Sequence, residues 1–166
     1  MQHKIELIDY EEKYADTINK IEEDQWGIWC SGDIRDEITP HTHIKLVQVN
    51  QEVAGIGYGK RVGDAFYIQV IVIKPEYQHQ HLGSIFMDYF IEYANSLDLN
   101  NIICEGVLVN NHMNILNIMK KYDFEEILRI KDYWGYKYPE DWCKECESKP
   151  CKCTSVIFVK KLKTQE

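Results

Sequence analysis

Residues 70–90, VIVIKPEYQHQHLGSIFMDYF, join an apolar run, a polar turn and a second apolar pattern with a different period. The run begins upstream, at 65–73 (AFYIQVIVI), where nearly continuous β-branched and aromatic residues predict a strand buried on both faces. Pro75 ends it. Beyond the turn, Phe86, Tyr89, Phe90, Tyr93 and Leu97 recur at helical spacing and predict an amphipathic helix from Gly83 to Leu97. A buried strand leading by a short turn into a helix N-terminus favours anions. The first helical amides lack partners inside the helix, and the helix dipole attracts negative charge. Gly83 permits close backbone approach, and Ser84 can cap the helix or donate to a phosphate. Many such turns contain a glycine, so the turn alone does not name its ligand.

Working outward, residues 4–9 form a short strand with alternating apolar positions, followed by a helix carrying Tyr14, Ile18 and Ile21 on one face. A second helical stretch runs from about Asp33 to Ile38 and is broken by Pro40. Residues 44–50 and 53–60 read as a hairpin through the polar turn Asn50–Glu52, and a turn at Arg61–Asp64 leads into the central strand. After the central helix come a buried strand at 102–109 (IICEGVLV), a helix around 112–122, and strands at about 125–133 and 155–162. The order β-α-α-β-β-β-α-β-α-β-β predicts an α/β fold: a mixed sheet of about seven strands flanked by helices. Residues 1–166 read as one domain, with a Cys-rich hairpin connection inserted at about 142–153.

The stretch at 70–90 resembles the acyl-CoA-binding segment of the GNAT superfamily of N-acyltransferases. That segment is an apolar strand ending in V-x-P, then Gln or Arg, two residues, Gly, one residue, and Gly or Ala. Gln78 takes the first position and Gly83 the last, while His81 stands where the first glycine is usual. A side chain there would meet the pyrophosphate unless the backbone angles suit a non-glycine residue. Residues 110–127 (NNHMNILNIMKKYDFEEI) are similar to the family's later helix, N-x-x-A-x-x-L-Y-x-x-x-G-F, with Ile118 for Leu, Asp123 for Gly, and Phe124 in the last position. SVIFVKKL at 155–162 looks like the family's last strand.

The resemblance implies that strands 65–73 and 102–109 splay apart to admit the pantetheine of acetyl-CoA. Backbone at Ile71, Val72 and Ile73 would pair with the acyl-pantetheine arm. Gln78, His79, Gln80, His81, Leu82, Gly83 and Ser84 would surround the pyrophosphate, chiefly through main-chain amides, and Asn111 completes the implied contacts. The implied reaction transfers an acetyl group from acetyl-CoA to a primary amine of a small molecule or peptide, by direct attack in a ternary complex. A non-catalytic module that binds acyl-CoA or metal is the alternative.

Such catalysis needs an unprotonated amine, a polarised thioester carbonyl and a proton for the leaving thiolate. The family's usual acid is the Tyr of the L-Y pair, a position held here by Met119, which has no proton to give. Tyr122, Tyr133 or a water can serve instead, or the thiolate leaves with little help. Glu105, a lone carboxylate in an apolar strand, is the candidate base; its alternative is to face solvent or pair with a lysine. Some family members carry a carboxylate on the central strand where this chain has Tyr67. Glu23 and Asp24 lie where the family builds its acceptor pocket, and also suit a solvated helix end.

Cys143, Cys146, Cys151 and Cys153 fall within the stretch WCKECESKPCKC. Four thiolates on a short turn-rich segment can surround one tetrahedral Zn²⁺, here a structural ion stapling a loop between the last two strands. An iron–sulfur cluster, two disulfides or free thiols remain open from spacing alone. Cys30 and Cys104 read as core thiols. The pairs His41/His43 and His79/His81 lack helical spacing and read as solvent-facing loop residues.

The 166 residues carry a formal net charge of −8, which argues against non-specific nucleic-acid binding and is compatible with a cationic amine. No stretch suits a signal peptide or a bilayer span, so a cytoplasmic protein without membrane partners is expected. A homodimer is compatible with the sequence, which does not itself define an oligomeric state.

Overall fold

The computed structural model describes residues 3–27 and 32–162. Strand β1 (Ile5–Asp9) leads through a 3₁₀ turn into α1 (Ala15–Trp26), and α2 (Ile34–Glu37) precedes the hairpin of β2 (Thr42–Val49) and β3 (Glu52–Val62). Strand β4 (Ala65–Ile73) and a 3₁₀ turn at Pro75–Tyr77 deliver the chain to α3 (Leu82–Ser96). Then follow β5 (Asn101–Leu108), α4 (Leu116–Lys121), β6 (Glu125–Ile130), α5 (Tyr133–Lys137) and β7 (Thr154–Lys161). The strands form one seven-stranded mixed sheet, as the alternation of elements predicts, and their order is β1-β2-β3-β4-β5-β7-β6.

Two cores lie on opposite faces of this sheet. On one, α3 buries Phe86 and Phe90 against Phe66, Ile68 and Ile102, with Met119 of α4 completing the layer. Each such phenyl ring contributes on the order of 2–3 kcal/mol of burial free energy. Gly57 of β3 makes this approach feasible, because a Cβ there would lie 2.6 Å from the Phe86 ring. On the other face, Ile18 and Ile21 of α1 and Ile34 of α2 pack on Leu46, Ile56 and Val72.

Strand β4 contributes to both cores, and its allegiance switches part-way. Phe66 and Ile68 belong to the α3 side, whereas Val70 and Val72 pack on the α1 side. The switch comes from a β-bulge: Gly59 pairs with Ile68 and Tyr58 with Val70, leaving Gln69 without an opposite number.

The structure corrects two boundaries at the sequence level. The helix expected around 112–122 occupies only Leu116–Lys121, because Asn110 and Asn111 both adopt left-handed backbone in a tight turn closed by Val109 and His112. The strand expected over 125–133 ends at Ile130, and the aromatic run beginning at Tyr133 coils into α5. Five residues with Gly135 at the centre carry too little periodicity to be told from a strand.

Candidate active site

The parallel pairing of β4 with β5 covers only Ala65–Ile68 opposite Asn101–Cys104. The bulge at Gln69 bends β4 away, so the edge from Gln69 to Ile73 has no strand beside it on the β5 side. Ile71, Val72 and Ile73 therefore keep a β3 partner on one side only.

Glu105 stands at this fork, one residue past the last β4–β5 pair. Its Oε2 accepts a hydrogen bond from the Tyr67 hydroxyl at 2.8 Å, and its Oε1 accepts one from Ser155 Oγ at 2.9 Å. Open solvent does not describe this half-buried carboxylate, and no described lysine is within ion-pair or hydrogen-bond distance of it. Burial and the adjacent Glu105 charge push the Tyr67 phenol well above its usual range, so Tyr67 remains a donor. Tyr133 and Lys137 of α5 are near enough to interact electrostatically with Tyr67 and Glu105, respectively. Ser155 was not singled out in the sequence; the only signal is a small polar residue opening an apolar strand.

At the far end of the β4 edge, the Gln78 side chain donates to the Ile73 carbonyl at 3.1 Å and pins the turn. His79 and His81 both have φ near +60°, at 62° and 61°. His81 thus adopts the left-handed conformation that a glycine would supply, and histidine is among the residues that tolerate it. The amides from His79 to Gly83 donate no hydrogen bond to the described residues, so they are available to a ligand at the helix start. Lys121 of α4, exposed, donates to Ser84 Oγ at 3.1 Å and brings a cation to this helix start. Its only trace in the sequence is the Lys120–Lys121 pair. Gly83 serves helix packing as well, since a Cβ there would lie 2.8 Å from Ile118 Cδ1. Asn111 is exposed in the turn after β5, with φ of 64°.

Tyr122 lies on the opposite side of the sheet from Glu105. It packs with the α3 core, and its hydroxyl donates to Asp88 Oδ1 at 2.7 Å while lying 3.2 Å from the Ser84 carbonyl. Burial and the Asp88 hydrogen bond raise its pKa to about 12. Met119 is fully buried in the same layer. The structure thus does not bring the two expected catalytic residues together.

A cleft of about 500 Å³ opens between α1 and the end of β4, lined by Asp16, Lys20, Asp24, Gln25, Val72 and Ile73 among others. Asp24 lines it, and its carboxylate pairs with Lys20 at 2.6 Å. Glu23 does not line it. Its neighbour Glu22 is buried, with Oε1 accepting from the Tyr58 hydroxyl at 2.7 Å.

A family model described as "Acetyltransferase (GNAT) family" matches residues 4–116. The chain belongs to the GNAT acetyltransferase family. The ribosomal-protein-S18-alanine N-acetyltransferase from Escherichia coli matches with a TM-score of 0.78 at 13% identity, covering 98% of this chain and 97% of that one. A Bacillus subtilis acetyltransferase in complex with CoA matches with a TM-score of 0.72 at 20% identity, over 97% and 99% of the two chains. A GNAT family acetyltransferase from Elizabethkingia anophelis with acetyl-CoA bound gives 0.73 at 16%, over 95% and 98%. At these identities the likeness is one of fold. No curated protein matches.

The matched part of the GNAT domain ends before the cysteine cluster, which occupies the β6–β7 connection. The four Sγ atoms of Cys143, Cys146, Cys151 and Cys153 lie within 4.8 Å of one another. Cys143 and Cys153 are 3.8 Å apart, and Cys146 and Cys151 3.9 Å. A tetrahedral site with Zn–S bonds of about 2.3 Å has edges of about 3.8 Å. A disulfide would need about 2.05 Å. Backbone amides of Cys146, Lys152 and Cys153 donate to the sulfurs of Cys143, Cys146 and Cys151 at 3.4–3.5 Å, as they do for thiolates in a metal knuckle. Burial opposes ionisation of Cys146, but the Ser148 hydroxyl and the Lys152 amide outweigh it and lower its pKa to about 6. Burial raises Cys151, to about 12, and Cys153 further still. Four thiolates here need a cation.

The remaining sulfur and imidazole groups have ordinary roles. Cys104 is buried, and burial raises its thiol to about 12. Cys30 lies outside the described residues. His43 corrects the expectation of a solvent-facing loop: it sits on β2, stacked on Tyr93 at 3.9 Å between centroids and bonded to the Tyr89 hydroxyl at 2.6 Å. His41, His79 and His81 are exposed, and no described histidine joins a metal-type cluster. No helix among the described residues is long and apolar enough to cross a membrane.

Proposed function

We infer that this GNAT acetyltransferase moves an acetyl group from acetyl-CoA to a primary amine of a small molecule or peptide, by direct attack within a ternary complex. The unpaired β4 edge, running from the Glu105 fork to the free amides before α3, is the observation that carries this reading. Pantetheine would pair with the edge at Ile71, Val72 and Ile73, as a missing strand would. The amides of His79, Gln80, His81, Leu82 and Gly83 would hold the pyrophosphate at the turn pinned by Gln78, with Ser84 and Lys121 beside it and Asn111 across the gap.

In this reading the amine arrives from the α1 side as an ammonium, Glu105 takes one of its protons, and the freed nitrogen bonds to the thioester carbon and passes its second proton to the departing thiolate. A β4 amide beyond Gln69 polarises the carbonyl oxygen. The C–S bond then breaks. The thiolate, with an aqueous pKa of about 8.5, leaves without an obligatory protein acid. Tyr122 is assigned to holding α4 on α3, because its hydroxyl is committed to Asp88 on the other face.

The four cysteines are assigned to one structural Zn²⁺. Two sulfur separations of one tetrahedral edge, with all four sulfurs within 4.8 Å of one another, support a single ion, whereas a polynuclear cluster would push its ligands farther apart.

The test is to mix the protein with acetyl-CoA and a panel containing an aliphatic polyamine, an aromatic ethylamine, an aminoglycoside and an alanine-initiated hexapeptide. Free thiol is followed and products are weighed by mass spectrometry. Amine-dependent thiol release with a product heavier by one acetyl group is expected. Acetyl-CoA binding without transfer to any amine would favour the non-catalytic module.

A further inference from the structure

The two residues enclosed by the first cysteine pair, Lys144 and Glu145, reach out of the knuckle to α1. Lys144 Nζ donates to the Asp24 carbonyl, and Glu145 Oε1 accepts from Gln25 Nε2 at 3.2 Å. Asp24 and Gln25 both line the cleft that also exposes Val72 and Ile73 of the open β4 edge. On its other side the knuckle is seated beside the fork. Cys143, Cys151 and Cys153 are buried against Val107, Val109 and Trp134, and Val107 follows Glu105 by two residues on the same face of β5. Helix α5 fits closely here too, since a Cβ on Gly135 would overlap the Cys151 carbonyl.

This segment has little of its own to hold that position. The one large apolar residue between 142 and 153, Trp142, is 54% exposed, and only cysteines are buried. Ordering by apolar burial is therefore insufficient, and ligation is the available source. Because Lys144 and Glu145 occupy the two positions between ligands Cys143 and Cys146, the bend that brings those sulfurs to one ion also aims both side chains at α1.

We propose that the metal-bound cysteine knuckle is the acceptor-side wall of the active site, latched to α1 through Lys144 and Glu145, so that metal occupancy sets amine affinity while acetyl-CoA affinity is independent of it. The proposal rests on the acetyl-transfer reading for its kinetic consequence and on geometry alone for the latch.

Two measurements test it separately. Hydrogen exchange is compared between protein carrying one Zn²⁺ per chain and protein stripped by chelator under reducing conditions. Zinc removal should increase exchange at least tenfold at 22–27 as well as 142–153, and leave 78–90 unchanged. Unchanged protection at 22–27 would overturn the latch, as would protein that takes up no Zn²⁺ when titrated with the metal alone. The second measurement uses Lys144→Ala/Glu145→Ala, which keeps all four ligands. It should retain one Zn²⁺ and its acetyl-CoA Kd, while raising KM about tenfold for the panel amine that wild type acetylates fastest. An unchanged KM would overturn the wall. If zinc-loaded wild type acetylates none of the amines, that counts against the transfer reading, and the exchange data still decide the latch.

Discussion

Tyr67 on β4 holds Glu105 on β5 by a 2.8 Å hydrogen bond immediately before the two strands part. The bond crosses the last stretch of pairing, so the carboxylate is fixed just before the gap that the Gln69 bulge opens. Ser155 on β7 holds its other oxygen from the opposite side.

Replacing Glu105 with Gln should lower kcat/KM by roughly 100-fold, the usual scale for a lost general base. The deficit should be greatest at low pH, where more of the amine is protonated. Acetyl-CoA affinity, measured by calorimetry, should be unaffected. Equal activity across the pH range would remove Glu105 from the chemistry.

Tyr67→Phe and Ser155→Ala each remove one anchor and leave the carboxylate in place. Steady-state kinetics should show kcat reduced about tenfold in each with little change in acetyl-CoA binding, on the scale of a mispositioned catalytic group. A loss confined to acetyl-CoA binding would point to a different role for this network.

Lys121 is exposed, so its replacement should spare the fold and report on phosphate binding. Calorimetry on Lys121→Glu should show at least a tenfold weaker Kd for acetyl-CoA, with Lys121→Gln intermediate. Gly83→Glu is a poorer probe, because its new side chain meets Ile118 before any ligand. Unaltered affinity in Lys121→Glu would remove this lysine from the cofactor site.

Glu22 gives the fold a pH dependence of its own. Burial raises its carboxyl from an ordinary 4.5 to about 7, against the Tyr58 hydrogen bond and with a smaller push from Glu37. The folded protein therefore keeps this proton in a window where the unfolded chain has lost it. Stability from this group is full below about pH 4.5, declines as pH rises, and levels off above about 7. The total is on the order of 3 kcal/mol. Denaturant melts should show that Glu22→Gln flattens this slope and stabilises the protein at pH 8; an unchanged slope would place the titration elsewhere.

Metal removal is expected to lower Tm by at least about 5 °C and loosen the β6–β7 pair. Cys146→Ser should mimic it in a thermal melt. A stripped protein melting with the native one would show that the knuckle needs no ion.

Most of the fold was legible because residues 70–90 change period within a few positions, and Pro75 marks where. The cysteine cluster was legible through spacing alone. The bulge at Gln69 was not: a strand buried on both faces has no alternation for an extra residue to interrupt. Helix α5 was hidden by its aromatics, which read equally well as strand. Tyr122 read as an acid by elimination, and only the packing of α4 on α3 reveals Asp88 as its partner. The latch through Lys144 and Glu145 links residues 120 positions apart, beyond the reach of any local pattern.

One surplus residue separates this sheet from an ordinary one. Because Ile68 and Val70 already occupy neighbouring rungs opposite Gly59 and Tyr58, excising Gln69 would leave every remaining side chain of β4 on its present side. Both cores would survive the loss, and the straightened strand would be free to zip along β5 to its end. If the gap admits acetyl-CoA as proposed, that capacity rests on one surplus residue, and deleting Gln69 should give a folded protein that no longer binds it.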